Sequence, residues 1–196
     1  MMRKKIFVAI IILIVLIGLS LCFSAYETYD ENFSIKEVEK VLGLIAQIQK
    51  KQLEPHQGKL REVAVTENEL NSYIAYRIEV EKSDVMKELR LKLFEKNKIE
   101  GKIYIDLRGQ ELSDLLRPEM NLYFGGTLGT KDGMVRLDLK SLYLEDQPIQ
   151  PKILDAVIYF GSKIQGMEPF SMNDWFELPY GMKDVKTEKG RAVFYY

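Results

Sequence analysis

A chain of 196 residues, 46% of them apolar, is long enough for one domain with a sizeable core. Its formal net charge of −1, with both signs interspersed, offers no large basic patch, which argues against nucleic acid and against binding to anionic headgroups. The single cysteine, Cys22, excludes an intrachain disulfide and a cysteine-rich metal site.

Arg3, Lys4 and Lys5 precede an uncharged run from Ile6 to Ala25. Twenty residues at about 1.5 Å rise cover roughly 30 Å, the thickness of a bilayer's hydrocarbon core. The cationic flank keeps the N-terminus cytoplasmic and sends the rest across. Three fates fit the segment: an uncleaved signal-anchor, a signal cleaved after the small-x-small site at Cys22-Phe23-Ser24, or a lipoprotein signal ending at Cys22. The anchor is the expectation, because the apolar run exceeds the usual ~7–15 residues of a cleaved signal. All three place the bulk of the chain outside the cytoplasm. Without Arg3, Lys4 and Lys5, the 28 basic residues fall to 25 against 29 acidic ones.

A polar link, 25–32, leads to a predicted helix from Ile35 to about Lys51. Ser34 and Glu37 form a capping-box pattern there, and Ile35, Val38, Val41, Leu42, Ile45 and Ile48 make a stripe. Leu53 to Gly58 breaks it, and residues 59–65 read as a short strand. Thr66 and Glu69 then cap a second helix with Leu70, Tyr73, Ile74, Arg77 and Ile78 on its inner side.

From Met86 to Gly109 apolar and charged residues alternate across a short turn, leaving Leu89, Leu91, Leu93, Ile99, Ile103, Ile105 and Leu107 in one row. All are odd-numbered. Residues directly opposite in an antiparallel pair share a face, so the loop must have odd length, and Glu95-Lys96-Asn97 fits with Asn97 left-handed. In the next pair the apolar positions change from even (Leu122, Phe124, Leu128) to odd (Val135, Leu137, Leu139), which requires an even loop. Asp132-Gly133 supplies a two-residue type I′ turn. That register sets Leu128 opposite Leu137 and Phe124 opposite Ser141, while Gly125-Gly126 points to a bend or bulge. Glu111 to Leu116 reads as one helical turn. A further helix is predicted from Pro151 to Gly166, with Ile153, Leu154, Val157, Ile158, Gly161 and Ile164 on one face. The stretch 173–181 reads as a turn-rich connector, with Trp175-Phe176 expected in the core. A last hairpin turns at Lys189-Gly190 and pairs Val185 with Phe194.

Chemistry-bearing patterns are sparse. His56 is the sole histidine and lies in a linker, so zinc sites and His-dependent nucleophilic mechanisms drop out. Glu145-Asp146 and Asp174-Glu177 sit at turns, where acidic residues are common. Residues 125–133 carry glycines without the spacing of a phosphate loop. The expectation is a protein with no enzymatic activity, no metal and no cofactor.

Three stretches carry a family likeness: "VTENELNSYI", "KDGMVRLDLKSLYLEDQPIQPKILD" and "ELPYGMKDVKTEKGRAVF". In this order they resemble small anchored or secreted bacterial domains of the tubular lipid-binding (TULIP) superfamily. The likeness covers roughly residues 59–196 and leaves 1–25 as anchor and 26–58 as linker and amphipathic helix. What it implies is an α+β fold, a curved antiparallel sheet of six to eight strands wrapped around the 151–166 helix. It also implies an apolar groove able to hold a lipid or fatty acyl ligand. The candidate lining is Leu70 and Ile74, Leu89, Leu91, Leu93, Ile103, Ile105 and Leu107, Leu137 and Leu139, and Val157, Gly161 and Ile164. The alternative is a non-catalytic structural or interaction module whose own helices cover the sheet completely. Cavity volume and lining discriminate between the two.

Overall fold

The computed structural model describes residues 33–52, 60–82, 85–108, 118–155, 159, 171 and 173–196. Helix α1 spans Ile35–Gln52. It buries Val38, Val41, Ile45 and Ile48. Ile35 and Leu42, expected on the same stripe, are exposed. At about 100° per residue they fall roughly 80–100° to one side of the buried line. The expected capping box closes through a third side chain: Ser72 Oγ accepts the Ser34 N–H (3.4 Å) and donates to Glu37 Oε2 (2.6 Å).

Helix α2, Glu67–Val80, begins at the predicted box. Thr66 Oγ1 accepts the Glu69 N–H (3.3 Å), and Glu69 Oε2 accepts the Thr66 N–H (2.8 Å). Burial disfavours ionisation of Glu69, but hydrogen bonds from Lys40 and Thr66 outweigh it and hold the carboxyl below its ordinary range. The same Lys40 contact ties α1 to α2.

Nine strands lie among the described residues, in two antiparallel sheets rather than the single sheet expected. The smaller sheet has the order β1-β9-β8, from Glu62–Thr66, Arg191–Tyr195 and Asp184–Glu188. The larger runs β2 (Met86–Leu93), β3 (Lys98–Asp106), β4 (Glu119–Lys131), β5 (Met134–Leu144) and β6 (Gln147–Pro148). A short strand β7, Phe176–Glu177, also pairs with β5, inside the stretch expected to be only a connector. The result is an α+β fold with a strongly curled antiparallel half-barrel.

Both central hairpins take the turns that residue parity requires. Leu93 pairs with Ile99 across a loop in which Lys96 and Asn97 have positive φ. Asp132 and Gly133 also have positive φ, as a type I′ turn demands, and Leu128 faces Leu137. Val185 faces Phe194 in the last hairpin. Beyond Gly126 the register shifts, because Lys140 is the extra residue of a bulge. Phe124 therefore faces Leu142, not Ser141. The bulge restores burial: it moves the apolar set of β5 from odd to even positions, so Leu142 turns inward and Tyr143 outward.

The first hairpin's loop joins the two sheets. Asn97 Oδ1 accepts the Thr187 N–H (2.9 Å), and its carbonyl accepts the Leu128 N–H (2.8 Å). Thr187 Oγ1 donates to the Phe94 carbonyl (2.7 Å), and the Gly190 N–H donates to that of Leu93 (3.0 Å).

Gly126 is required where the bulge draws the strands together: a Cβ there would lie 2.7 Å from the Asp138 carbonyl oxygen and 2.8 Å from Leu137 Cδ1. Gly43, mid-way along α1, meets nothing within 4 Å. Gly126→Ala is expected to cost about 1–3 kcal/mol, and Gly43→Ala to gain up to about 1 kcal/mol, both read by denaturant unfolding. Equal effects at the two sites would contradict the bulge.

Candidate functional site

Ten of the thirteen candidate lining residues fall on described positions. Leu70, Ile74, Leu89, Leu91, Leu93, Ile103, Leu107 and Leu137 are buried, and Ile105 and Leu139 are half-buried against the same core. Val157, Gly161 and Ile164 lie outside the described residues, as do Ile158, His56 and the 111–116 turn. Residues 151–155 are helical, but it is Leu154 that packs on the core. Ile153 is 53% exposed, against the expectation that both faced inward. Trp175 is also exposed, with the Arg136 guanidinium 4.8 Å from its ring centroid, whereas Phe176 packs on the core.

The apolar row is close-packed. Leu89 and Leu137 retain 1% of their surface and Ile74 none. They share one cluster with Val41, Ile45 and Ile48 of α1 and Leu70 and Tyr73 of α2. An apolar pocket between α1 and the small sheet, lined by Val41, Ile48, Leu70, Tyr180 and Phe194 among others, measures about 30 Å³. Small-molecule sites occupy roughly 300–1,000 Å³. The Tyr73 hydroxyl is sealed in this core beside Arg77, with no well-aligned hydrogen bond among the described residues, and burial pushes its pKa up to about 12.

The larger of the two spaces is mixed: most of its lining residues are polar or charged, but apolar surface faces it at least as much as polar. A cleft of about 750 Å³ opens between α2 and β2, with Asn71, Ala75 and Glu79 on one wall and Lys87, Leu89 and Arg90 on the other. Its floor is the edge of the six-stranded sheet, since among the described residues β2 pairs with β3 alone. Two α2 side chains already serve that edge. Asn71 Oδ1 accepts the Leu91 N–H and Asn71 Nδ2 donates to the Leu91 carbonyl, both at 2.8 Å. Glu67 Oε2 accepts the Leu93 N–H at 2.7 Å. Sequence reading missed both residues, although the signal was present: Glu67 and Asn71 are four apart and so share a helix face.

Beside the cleft, Asp106 and Glu119 are direct cross-strand partners, a repulsive arrangement that Arg108 relieves. Arg108 Nη2 sits 2.6 Å from Asp106 Oδ2 and 2.9 Å from Glu119 Oε1. Hydrogen bonds from the Arg108 side chain and backbone hold the Asp106 carboxyl down to about 2. A hydrogen bond to Glu119 raises the pKa of Tyr104, which lines the cleft. Among the described residues no three His, Cys, Asp or Glu side chains converge as a metal site, and no helix is long and apolar enough to cross a membrane.

No family model matches the chain, and neither a curated protein nor a solved structure does so.

Because the Asp106 pKa is lowered on folding, its stabilising contribution is present above the ordinary carboxylate range and is lost as pH falls from about 4 to about 2. Asp106→Asn is expected to lower Tm at neutral pH and to flatten the acid limb of the Tm–pH curve in that window. An unchanged acid limb would show that the Arg108 pairing does not persist in solution.

Proposed function

We propose that this chain is an anchored extracytoplasmic interaction module, non-catalytic and TULIP-like, whose curled sheet is covered by its own helices. In this reading Ile6–Ala25 holds the chain in the membrane. The observation that carries the reading is a contrast among the described residues: a pocket of about 30 Å³ beside the apolar cluster, against a cleft of about 750 Å³ where most lining residues are polar or charged but apolar surface is exposed as well. An acyl chain gains roughly 0.8 kcal/mol per buried CH₂, and that gain requires a continuous apolar wall. The mixed cleft suits a partner that offers hydrogen-bonding groups together with some apolar surface.

The competing reading, a lipid in the groove, makes a different forecast for one experiment. The full chain in native membranes is labelled with a photoactivatable fatty acid, and the labelled peptides are mapped by mass spectrometry. Label confined to residues 6–25 is the expected result. Label on Leu89, Leu91, Ile103 or Leu137 would replace the interaction reading with the lipid one.

A further inference from the structure

Leu122 and Phe124 of β4 and Val135, Leu137 and Leu142 of β5 are buried, so the positions between them turn to the outer face of the larger sheet. Tyr123 and Tyr143 are direct cross-strand partners on that face, 40% and 42% exposed. Phe176 packs on the core opposite Val135, so Trp175 beside it turns outward and is 38% exposed. The Arg136 guanidinium lies over the Trp175 ring, and a Cβ on Gly129 would meet that ring at 3.7 Å. Gly129 and Arg136 are themselves cross-strand partners. Three of the four exposed aromatic side chains among the described residues therefore stand on one face of one hairpin.

From Tyr123 to Gly129 is six residues, about 20 Å at about 3.4 Å per residue. Between these ends the β4 side chains are small. Gly125 pairs with Ser141 and Thr127 with Asp138 before Gly129 is reached. The outer face is thus a shallow trough, with two tyrosines at one end and the tryptophan at the other.

Charge and polarity select the occupant. The charged neighbours of the trough are matched within the chain: Lys102 with Glu88, Lys98 with Glu100, and Lys140 with Asp138. Arg136 is placed against the tryptophan ring. Strand β4 pairs on both sides, with β3 and β5, so its peptide groups are taken. What remains for a ligand is a few side-chain hydroxyls and the indole N–H. A sugar chain lying there would leave many of its own hydroxyls desolvated and unmatched, each at a cost. A polyproline II segment makes no such demand. Its proline rings pack on aromatic faces, its residues lack the N–H, and its carbonyls accept from scattered hydroxyl and indole donors. The conformation is preformed, and at about 3.1 Å per residue some seven residues cover the trough.

We propose that the outer face of the β4–β5 hairpin docks an uncharged, proline-rich segment of a partner polypeptide. The segment lies between Tyr123 and Tyr143 at one end and Trp175 at the other. This proposal rests on the interaction-module reading, yet it fails separately. Photolabelling reports on the apolar cluster inside the sheet, and the following experiment reports on the opposite face.

Trp175 is the only tryptophan of the chain, so its emission reads one end of the trough. The probe is acetylated, amidated nonaproline, titrated into full chain in micelles. The emission of Trp175 is expected to change saturably. Tyr143→Ala, at the far end from the reporter, should weaken binding at least fivefold with Tm unchanged, and Tyr123→Ala should do the same independently. A nonapeptide of alternating Gly and Ser, which has no preformed helix, should bind at least tenfold more weakly. No saturable change at millimolar nonaproline, or wild-type affinity in both tyrosine variants, would overturn the proposal. Equal binding of the Gly-Ser peptide would also do so. Saturation by cellotetraose but not by nonaproline would overturn it too, assigning the face to carbohydrate.

Discussion

Everything on the concave side of the molecule depends on α2 lying along the edge of β2. A sheet edge exposes a row of unpaired peptide groups, which a partly buried strand cannot leave unmatched without a cost of about 1–3 kcal/mol for each group. Glu67 and Asn71 meet that requirement at Leu93 and Leu91. Once they fix the helix along the strand, Leu70, Ile74 and Ile78 are carried over Leu89, Leu91 and Ile103. The row of alternating apolar residues is therefore covered from within, by a helix held through polar contacts at its margin. The ladder ends where Ala75 follows Asn71, and the cleft opens at that point.

The second constraint is the join between the two sheets. Asn97 combines a left-handed backbone with a side chain that accepts from β8, so one loop residue closes the first hairpin and ties it to the smaller sheet. The bulge at Lys140 sets the path of β5 past Gly126 and lets β4 and β5 stay apolar on the inner face along their length. Together these features hold the half-barrel curled, and they leave the β2 edge as the part of the larger sheet that faces an open cleft.

Much of this was legible in the sequence, because local rules were sufficient. Parity and turn chemistry gave both hairpin loops, and Thr66 with Glu69 gave the start of α2. The glycine pair announced the bulge, but the pairing of Phe124 was carried past it without the one-residue shift that a bulge imposes. Apolar stripes were read too widely. Ile35, Leu42 and Ile153 fit a helical face by composition, yet neighbouring positions on a helix are about 100° apart and only part of each face meets the core. The site itself was not legible, since it depends on which strand becomes an edge and which helix passes it. Those are long-range facts that neither period nor capping encodes.

The most direct test of this account is native-state hydrogen exchange in Asn71→Ala. The substitution leaves the Leu91 N–H and C=O without their partner, and because Ala is a better helix former than Asn it does not weaken α2 itself. Faster exchange at Leu91, with a stability loss of about 1–3 kcal/mol, is the expected result. Unchanged exchange at Leu91 with wild-type stability would show that α2 does not hold the edge, and the account of how the apolar row is covered would fall with it.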